Sequence, residues 1–200
     1  KRQSLIIERT TNEKAKIQRE AKLEIGRQIA LLVAPKSTVY LGAGTTINAA
    51  VPFLPTNPQV LYVTNSDLAF RDLLKRKAKV ILAGGTYEEK SNQFLGAIAE
   101  QALENFYFDL AFIGTNGVYN GQATTSNLPD KAIKEIAIKR AMEKYVVADA
   151  TKIGVADPYP FANIGELTGI IVDSKLAKHS VRDLRKLCSV IVAKPLEPQK

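Results

Sequence analysis

Two hundred residues, 46% hydrophobic and 24% charged, fit one globular domain with a substantial core. A single cysteine, Cys188, excludes an internal disulfide framework; with a charged N-terminal stretch no signal peptide is expected, and no apolar run approaches a membrane span, so a reducing, cytoplasmic setting is expected. The 28 Lys and Arg against 20 Asp and Glu leave a net charge of +8, which favours anionic partners, yet these residues are interleaved with Glu13, Glu20 and Glu24 or spread along helix faces, and direct DNA binding by them is not expected.

In chain order, residues 1–10 are basic and polar, with Leu5-Ile6-Ile7 able to pair as a short strand. This stretch reads as the remnant of an interdomain connection, and residues 11–200 as the domain proper. Thr10-Thr11-Asn12-Glu13 matches a capping box, and Ala21, Ile25, Ile29, Leu32 and Val33 recur at helical spacing. The spacing predicts one long amphipathic helix over residues 10–33, stopped by Pro35.

Short apolar runs then alternate with helical segments. Strands are predicted at 38–41, 60–64, 79–83, 109–114, 145–149, 168–172 and 189–193, and helices at 46–54, 67–77, 96–105, 130–143 and 176–187. Several strands are apolar on both parities, as strands covered on both faces are. The pattern predicts an α/β fold with an open, mainly parallel sheet and helices on both faces. Residues 114–129 read as a long polar loop.

In such a sheet, ligands bind beyond the carboxyl ends of the strands. Five successive strand ends carry glycine, hydroxyl, amide or lysine: Gly42-Ala43-Gly44-Thr45-Thr46, Thr64-Asn65-Ser66, Gly84-Gly85-Thr86, Gly114-Thr115-Asn116-Gly117 and Asp149-Ala150-Thr151-Lys152. Turns are rich in these residues for structural reasons. Their succession predicts one shared polar crevice. Within it, Gly44, Thr45 and Thr46 are expected to hold a phosphate at a helix N-terminus, and Asn65, Asn116 and Lys152 to orient the rest. The first turn is neither GxxxxGK[ST] nor GxGxxG, so a nucleotide is not the expected ligand. No cofactor is expected. With one histidine, His179, and one cysteine, zinc-type ligation has no basis.

The chain resembles the sugar-phosphate-sensing domain of DeoR-type bacterial transcription regulators. The resemblance is carried by Leu41-Gly42-Ala43-Gly44-Thr45-Thr46, Val63-Thr64-Asn65-Ser66, Leu82-Ala83-Gly84-Gly85-Thr86-Tyr87, the run from Asp109 to Gly117, Ala123-Thr124-Thr125 and Ala148-Asp149-Ala150-Thr151-Lys152-Ile153-Gly154. It implies a fold like that of ribose-5-phosphate isomerase and glucosamine-6-phosphate deaminase. It also implies an effector site at Gly42, Ala43, Gly44, Thr45, Thr46, Thr64, Asn65, Gly84, Gly85, Thr115, Asn116, Gly117 and Lys152, with a phosphorylated sugar as effector. A homo-oligomer is implied, and contact with operator DNA only through an N-terminal winged helix-turn-helix, after which this chain would begin. Repression relieved by effector is the family expectation. Tagatose, fructose, galactitol and deoxyribose phosphates all stay open.

Three positions depart from the family pattern: Gly42 stands where an aspartate is frequent, and Thr115-Asn116 where Ala-Asp is frequent. Gly42 is therefore expected to set the choice of effector. Lys134 aligns with a family lysine, but a solvated helix lysine stays open as its other reading. The rival function is a phosphosugar isomerase, which needs a base to move a proton between adjacent carbons. Related isomerases carry Asp-Gly-Ala-Asp-Glu where this chain has Ile113-Gly114-Thr115-Asn116-Gly117, without a carboxylate. Asp109 starts its strand, far from the crevice. Asp130 could approach it or serve as helix N-terminal charge, and Asp149 is expected to orient backbone or Lys152. Sensing rather than catalysis is the expectation.

Overall fold

The computed structural model describes residues 10–196, so Leu5-Ile6-Ile7 and the connection at residues 1–9 lie outside the described residues. In chain order the elements are α1 (Thr11–Lys16), α2 (Arg19–Leu32), β1 (Thr38–Leu41), α3 (Thr45–Ala50), β2 (Leu61–Thr64), α4 (Asp67–Lys75), β3 (Lys79–Leu82), β4 (Thr86–Glu88), β5 (Gln93–Leu95), α5 (Ala97–Glu104), β6 (Phe108–Gly114), β7 (Gly117–Tyr119), β8 (Gln122–Thr125), α6 (Leu128–Arg140), β9 (Ala141–Ala148), β10 (Tyr159–Asn163), β11 (Gly169–Val172), α7 (Lys178–Leu184) and β12 (Ser189–Val192).

Seven strands form one sheet in the order β12-β11-β9-β6-β1-β2-β3, every neighbouring pair parallel. Strand side chains alternate between faces. Val39 and Leu41 of β1 therefore pack with Ile25 and Ile29 of α2, Ile47 of α3 and Leu73 of α4. Tyr40, between them, packs on the opposite face with Leu103 of α5, Ile133 of α6 and Val181 of α7. Both sides of a central strand are thus withdrawn from water, which is why its sequence is apolar on both parities. The edge strand β3 is exposed at Lys79 and Ile81, and a charge at an edge discourages further strand pairing.

Strand order reverses direction between β1 and β6. From β1 the chain steps outward through β2 to β3; β6 then starts on the other side of β1, and β9, β11 and β12 continue away from it. The carboxyl ends of β1 and β6 flank this reversal, the position at which open α/β sheets leave a crevice.

The structure corrects four expectations. The single helix over residues 10–33 is two helices, broken at Ile17 and Gln18, where Gln18 takes left-handed backbone angles (φ 54°). The break lets α1 turn over the end of the sheet, where Thr11 donates from N and Oγ1 to the Lys90 carbonyl at 3.0 and 3.1 Å. Helix 46–54 gives way after Ala50 to a 3₁₀ turn, Val51–Phe53, containing Pro52. Helix 130–143 ends at Arg140, because Glu143 and Lys144 pair with Leu110 and Ala111 in the sheet. Finally, the long loop at 114–129 contains β7 and β8, which with β10 form a small antiparallel sheet; β4 and β5 form a separate hairpin. β4, β5 and β7 have three residues each, too few alternations to read from sequence.

Candidate functional site

A cavity of about 430 Å³ opens at the sheet reversal, within the range of small-molecule sites. The loops after β1, β6 and β9 supply Ala43–Thr46, Gly114–Asn116 and Asp149–Lys152, and the start of α6 supplies Asn127, Asp130 and Lys134. α1 closes one side with Thr11 and Lys14, next to Ile17 at the helix break and Lys22 of α2.

The β1 wall follows from local backbone. Gly44 precedes α3 at φ 137° and ψ 155°, a region disfavoured for side-chain-bearing residues, and offers no side chain to cap the helix. The first N–H groups of α3 therefore lack a side-chain cap, next to the hydroxyls of Thr45 and Thr46. On the β6 wall, Thr115 Oγ1 donates to the Gly117 and Thr124 carbonyls at 2.8 and 2.9 Å, fixing the turn. Asn116 Nδ2 donates to Asp157 Oδ2 at 2.7 Å. On the β9 wall, Asp149 accepts from the Thr151 N–H at 3.0 Å and from its hydroxyl, which orients the turn carrying Lys152.

The α6 wall holds a buried charge pair. Asn127 Oδ1 caps the helix by accepting from the Asp130 N–H at 2.9 Å, with Pro129 in the first turn. One turn on, the Lys134 ammonium meets the Asp130 carboxylate, which also accepts from Thr125 Oγ1. Lys134 Nζ lies 5.2 Å from the centre of the Phe161 ring. Burial by itself raises the Asp130 carboxyl pKa; the Lys134 charge and hydrogen bonds from Lys134, Thr125 and Gln93 outweigh it and hold the group below the usual carboxylate value.

Of the residues expected from sequence, Ala43, Gly44, Thr45, Thr46, Thr115, Asn116 and Lys152 come together at this cavity. Gly42, Thr64, Asn65, Gly84, Gly85 and Gly117 do not line it. Gly42 is buried in the layer beneath: its N–H donates to the Phe112 carbonyl at 3.0 Å, and a β-carbon there would lie 3.3 Å from that oxygen. It does not face the cavity as the choice of effector would require. Thr64 donates to the Leu41 carbonyl at 2.6 Å, and the fully buried Asn65 joins Tyr40, Gln93 and Phe94. Both brace the floor of the crevice. Gly85 packs against Leu95 and Gly117 against Val155.

Sequence reasoning missed the α1 residues, Lys22, Ser91, Gln93 and Asp157. The hydrophobic period marks α2 but gives no sign that a short helix folds back from it. Lys134 is not solvated but buried in its ion pair, and the hydrophobic spacing of α6 hides this because it is a charged residue on the inward face. Ser91 Oγ is buried at the cavity wall without a hydrogen-bond partner in the structure. Among the described residues, no group of three or more His, Cys, Asp or Glu is arranged to hold a metal ion, and no helix is long and apolar enough to cross a membrane.

A parallel α/β sheet with a polar, lysine-lined cavity at its reversal is the architecture in which open α/β domains bind small molecules. The family described as the DeoR C terminal sensor domain matches residues 17–174, and the chain belongs to that family. It is 33% identical over 155 residues to the uncharacterized HTH-type transcriptional regulator FruR of Bacillus subtilis (strain 168), covering 77% of this chain and 62% of that protein. It is 32% identical over 170 residues to a lactose phosphotransferase system repressor of Streptococcus mutans serotype c (strain ATCC 700610 / UA159), covering 83% of this chain and 67% of that one. The chain thus spans about two thirds of these relatives' length. Among solved structures, ribose 5-phosphate isomerase A of Methanocaldococcus jannaschii superposes with a TM-score of 0.49 at 17% identity, covering 66% of this chain and 53% of that one.

Proposed function

We propose that this domain senses a phosphorylated sugar and, in a regulator of sugar catabolism, transmits its presence to a DNA-binding winged helix-turn-helix joined through the N-terminal segment. The observation that carries this reading is the uncapped Gly44-Thr45-Thr46 turn facing a cavity that also holds Lys152 and Lys22. A phosphate needs N–H donors and positive charge at one end; a sugar needs hydroxyl and amide partners at the other, and the presence of Ser91, Gln93 and Asn116 in the cavity lining supports that reading. The names of the relatives, a transcriptional regulator and a lactose phosphotransferase system repressor, support a role in gene control. The domain works in a homo-oligomer, in which a ligand that favours one arrangement shifts the spacing of the heads.

Against isomerisation stands the state of the carboxylates. A general base works best with a pKa near the working pH, whereas Asp130 is held below the ordinary carboxylate value. Asp149 accepts from the Thr151 N–H of its own turn, and Asp157 accepts from Asn116 of the β6 wall.

The test is a thermal-shift panel of sugar phosphates, free sugars and nucleotides. A cognate ligand at a hundred times its dissociation constant stabilises by about 2.7 kcal/mol. A panel without a hit overturns the sensor reading, and turnover of a phosphosugar establishes the isomerase instead. Thr45→Val is expected to weaken phosphorylated ligands by about tenfold or more, the loss of one charge-assisted hydrogen bond, while leaving the melting temperature of the free protein nearly unchanged.

A further inference from the structure

We propose that Asp157 sets the selectivity of the cavity: its carboxylate accepts the hydroxyls of a singly phosphorylated sugar and turns away a sugar carrying a second phosphate. The inference rests on the reading of the cavity as a sugar-phosphate site. Three carboxylates line it, Asp130, Asp149 and Asp157. Asp130 is paired with the Lys134 ammonium. Asp149 is buried beside the Lys22 charge, and its Oδ1 is taken by the N–H and hydroxyl of Thr151. Asp157 is half-buried and belongs to none of the ion pairs among the described residues.

The fold holds this carboxylate in place. The loop that carries it is docked on β7: the Gly154 N–H donates to the Val118 carbonyl at 2.8 Å, and a β-carbon at Gly117 would lie 2.2 Å from the Val155 carbonyl. Glycine alone allows so close an approach. The Asp157 N–H donates to Thr124 Oγ1 at 2.9 Å, and its Oδ2 accepts from Asn116 Nδ2 at 2.7 Å. A carboxylate has two oxygens with about four acceptor sites. Among the described residues Asn116 fills one of them, which leaves Oδ1 and the rest of Oδ2 to an occupant.

These acceptors discriminate by charge. An ionised carboxylate accepts hydrogen bonds and donates none. Its partners in a ligand are therefore O–H groups, and bonds to a charged acceptor are the stronger kind. Adjacent hydroxyls of a sugar bring two such donors to one carboxylate. A phosphate in the same place brings acceptors and negative charge, and like charges set against each other are strongly unfavourable. The phosphate accordingly takes the Gly44-Thr45-Thr46 turn with Lys152, and the hydroxyl end of the sugar takes Asp157. One anionic group is admitted and a second is refused.

The experiment is calorimetric titration of the 200-residue chain with fructose 1-phosphate, fructose 6-phosphate, tagatose 6-phosphate, fructose 1,6-bisphosphate and tagatose 1,6-bisphosphate. The unaltered protein is expected to bind a monophosphate at least about tenfold more tightly than the bisphosphate of the same sugar. Asp157→Asn keeps an acceptor for Asn116 and removes the charge. It is expected to weaken the monophosphate by about tenfold and to bind the bisphosphate no less tightly than before, so that the preference disappears. A residue with a purely structural role would weaken both kinds of probe alike and leave their ratio unchanged. That outcome overturns the inference, and so does an unaltered protein that binds a bisphosphate as tightly as the monophosphate; both leave the sensor reading standing. If no probe binds the unaltered protein, the inference and the sensor reading fail together. Asp157→Ser serves the same comparison if Asp157→Asn does not fold.

Discussion

Asn116 donates from Nδ2 to Asp157 Oδ2 at 2.7 Å, joining the end of β6 to a loop 41 residues later in the chain. The pair sets an amide where a carboxylate would face another carboxylate. Asn116→Asp sets two acids at hydrogen-bond distance, where both cannot ionise together. The variant is expected to be less stable than the parent at pH 7 and to regain most of the difference at pH 4 to 5, where the pair shares a proton. Urea midpoints at the two pH values check this. Equal losses at both would show that the amide is irreplaceable for another reason.

Gly44 tests the turn itself. A β-carbon there meets nothing within 4 Å, yet φ is 137°. Gly44→Ala is therefore expected to lower stability by about 1–3 kcal/mol, the cost of disfavoured backbone angles, or to relax the turn and lose phosphorylated ligands. Chemical denaturation and ligand titration of the same preparation separate the two outcomes. A variant unchanged in both would show that the turn geometry is not required.

The buried pair on α6 makes a sharper prediction. Lys134→Met leaves the Asp130 carboxylate buried without its cation and is expected to cost about 3–5 kcal/mol. Adding Asp130→Leu removes the orphaned charge, and the double variant is expected to be more stable than Lys134→Met alone. Denaturant unfolding of the three proteins measures this. A double variant weaker than the single would mean that the hydrogen bond from Thr125 matters more than the charge.

The same pair sets a limit in acid. The folded-state value of Asp130 is depressed, so its contribution is present above the unfolded carboxyl value, about 3.9, and is lost as pH falls through the folded value. Stability is expected to fall below about pH 4, and less steeply in Asp130→Asn. Parallel acid titrations followed by circular dichroism test the difference.

Lys22 acts at the other end of the scale. Its folded value is lowered to about 8 from 10.5, so between those values the unfolded chain binds the extra proton. Stability contributed by this residue rises with pH across that window. Lys22→Met is expected to flatten the rise, as measured by urea unfolding from pH 7.5 to 10. A slope unchanged by the substitution would mean that Lys22 stays charged throughout.

The strand-and-helix alternation was legible because it depends on local patterning. Val39, Tyr40 and Leu41 are apolar in succession, which only a strand covered on both faces requires, and all seven strands of the sheet fall where such runs stand. Thr45, Thr46, Asn116 and Lys152 were legible as cavity residues because each follows directly on a strand, and strand ends of a parallel sheet converge. Gly42 and Asn65 stand at the same kind of place but lie one layer down. Whether a residue just past a strand faces the crevice or the floor depends on its side-chain direction, which the sequence does not display.

What the sequence alone determined is the α/β class, the order of the seven main-sheet strands with the helices between them, and the row of polar strand ends, since each follows from periodicity and turn chemistry within a few residues. The tertiary structure decided which of those ends share a cavity, and added contacts between distant segments: Lys22 with the carbonyls of α1, Asp157 with Asn116, and Thr11 with the Lys90 backbone. A buried polar group must find a partner wherever the fold brings one. For these residues the partner depends on strand order and on the left-handed turn at Gln18, neither of which is encoded in any local spacing.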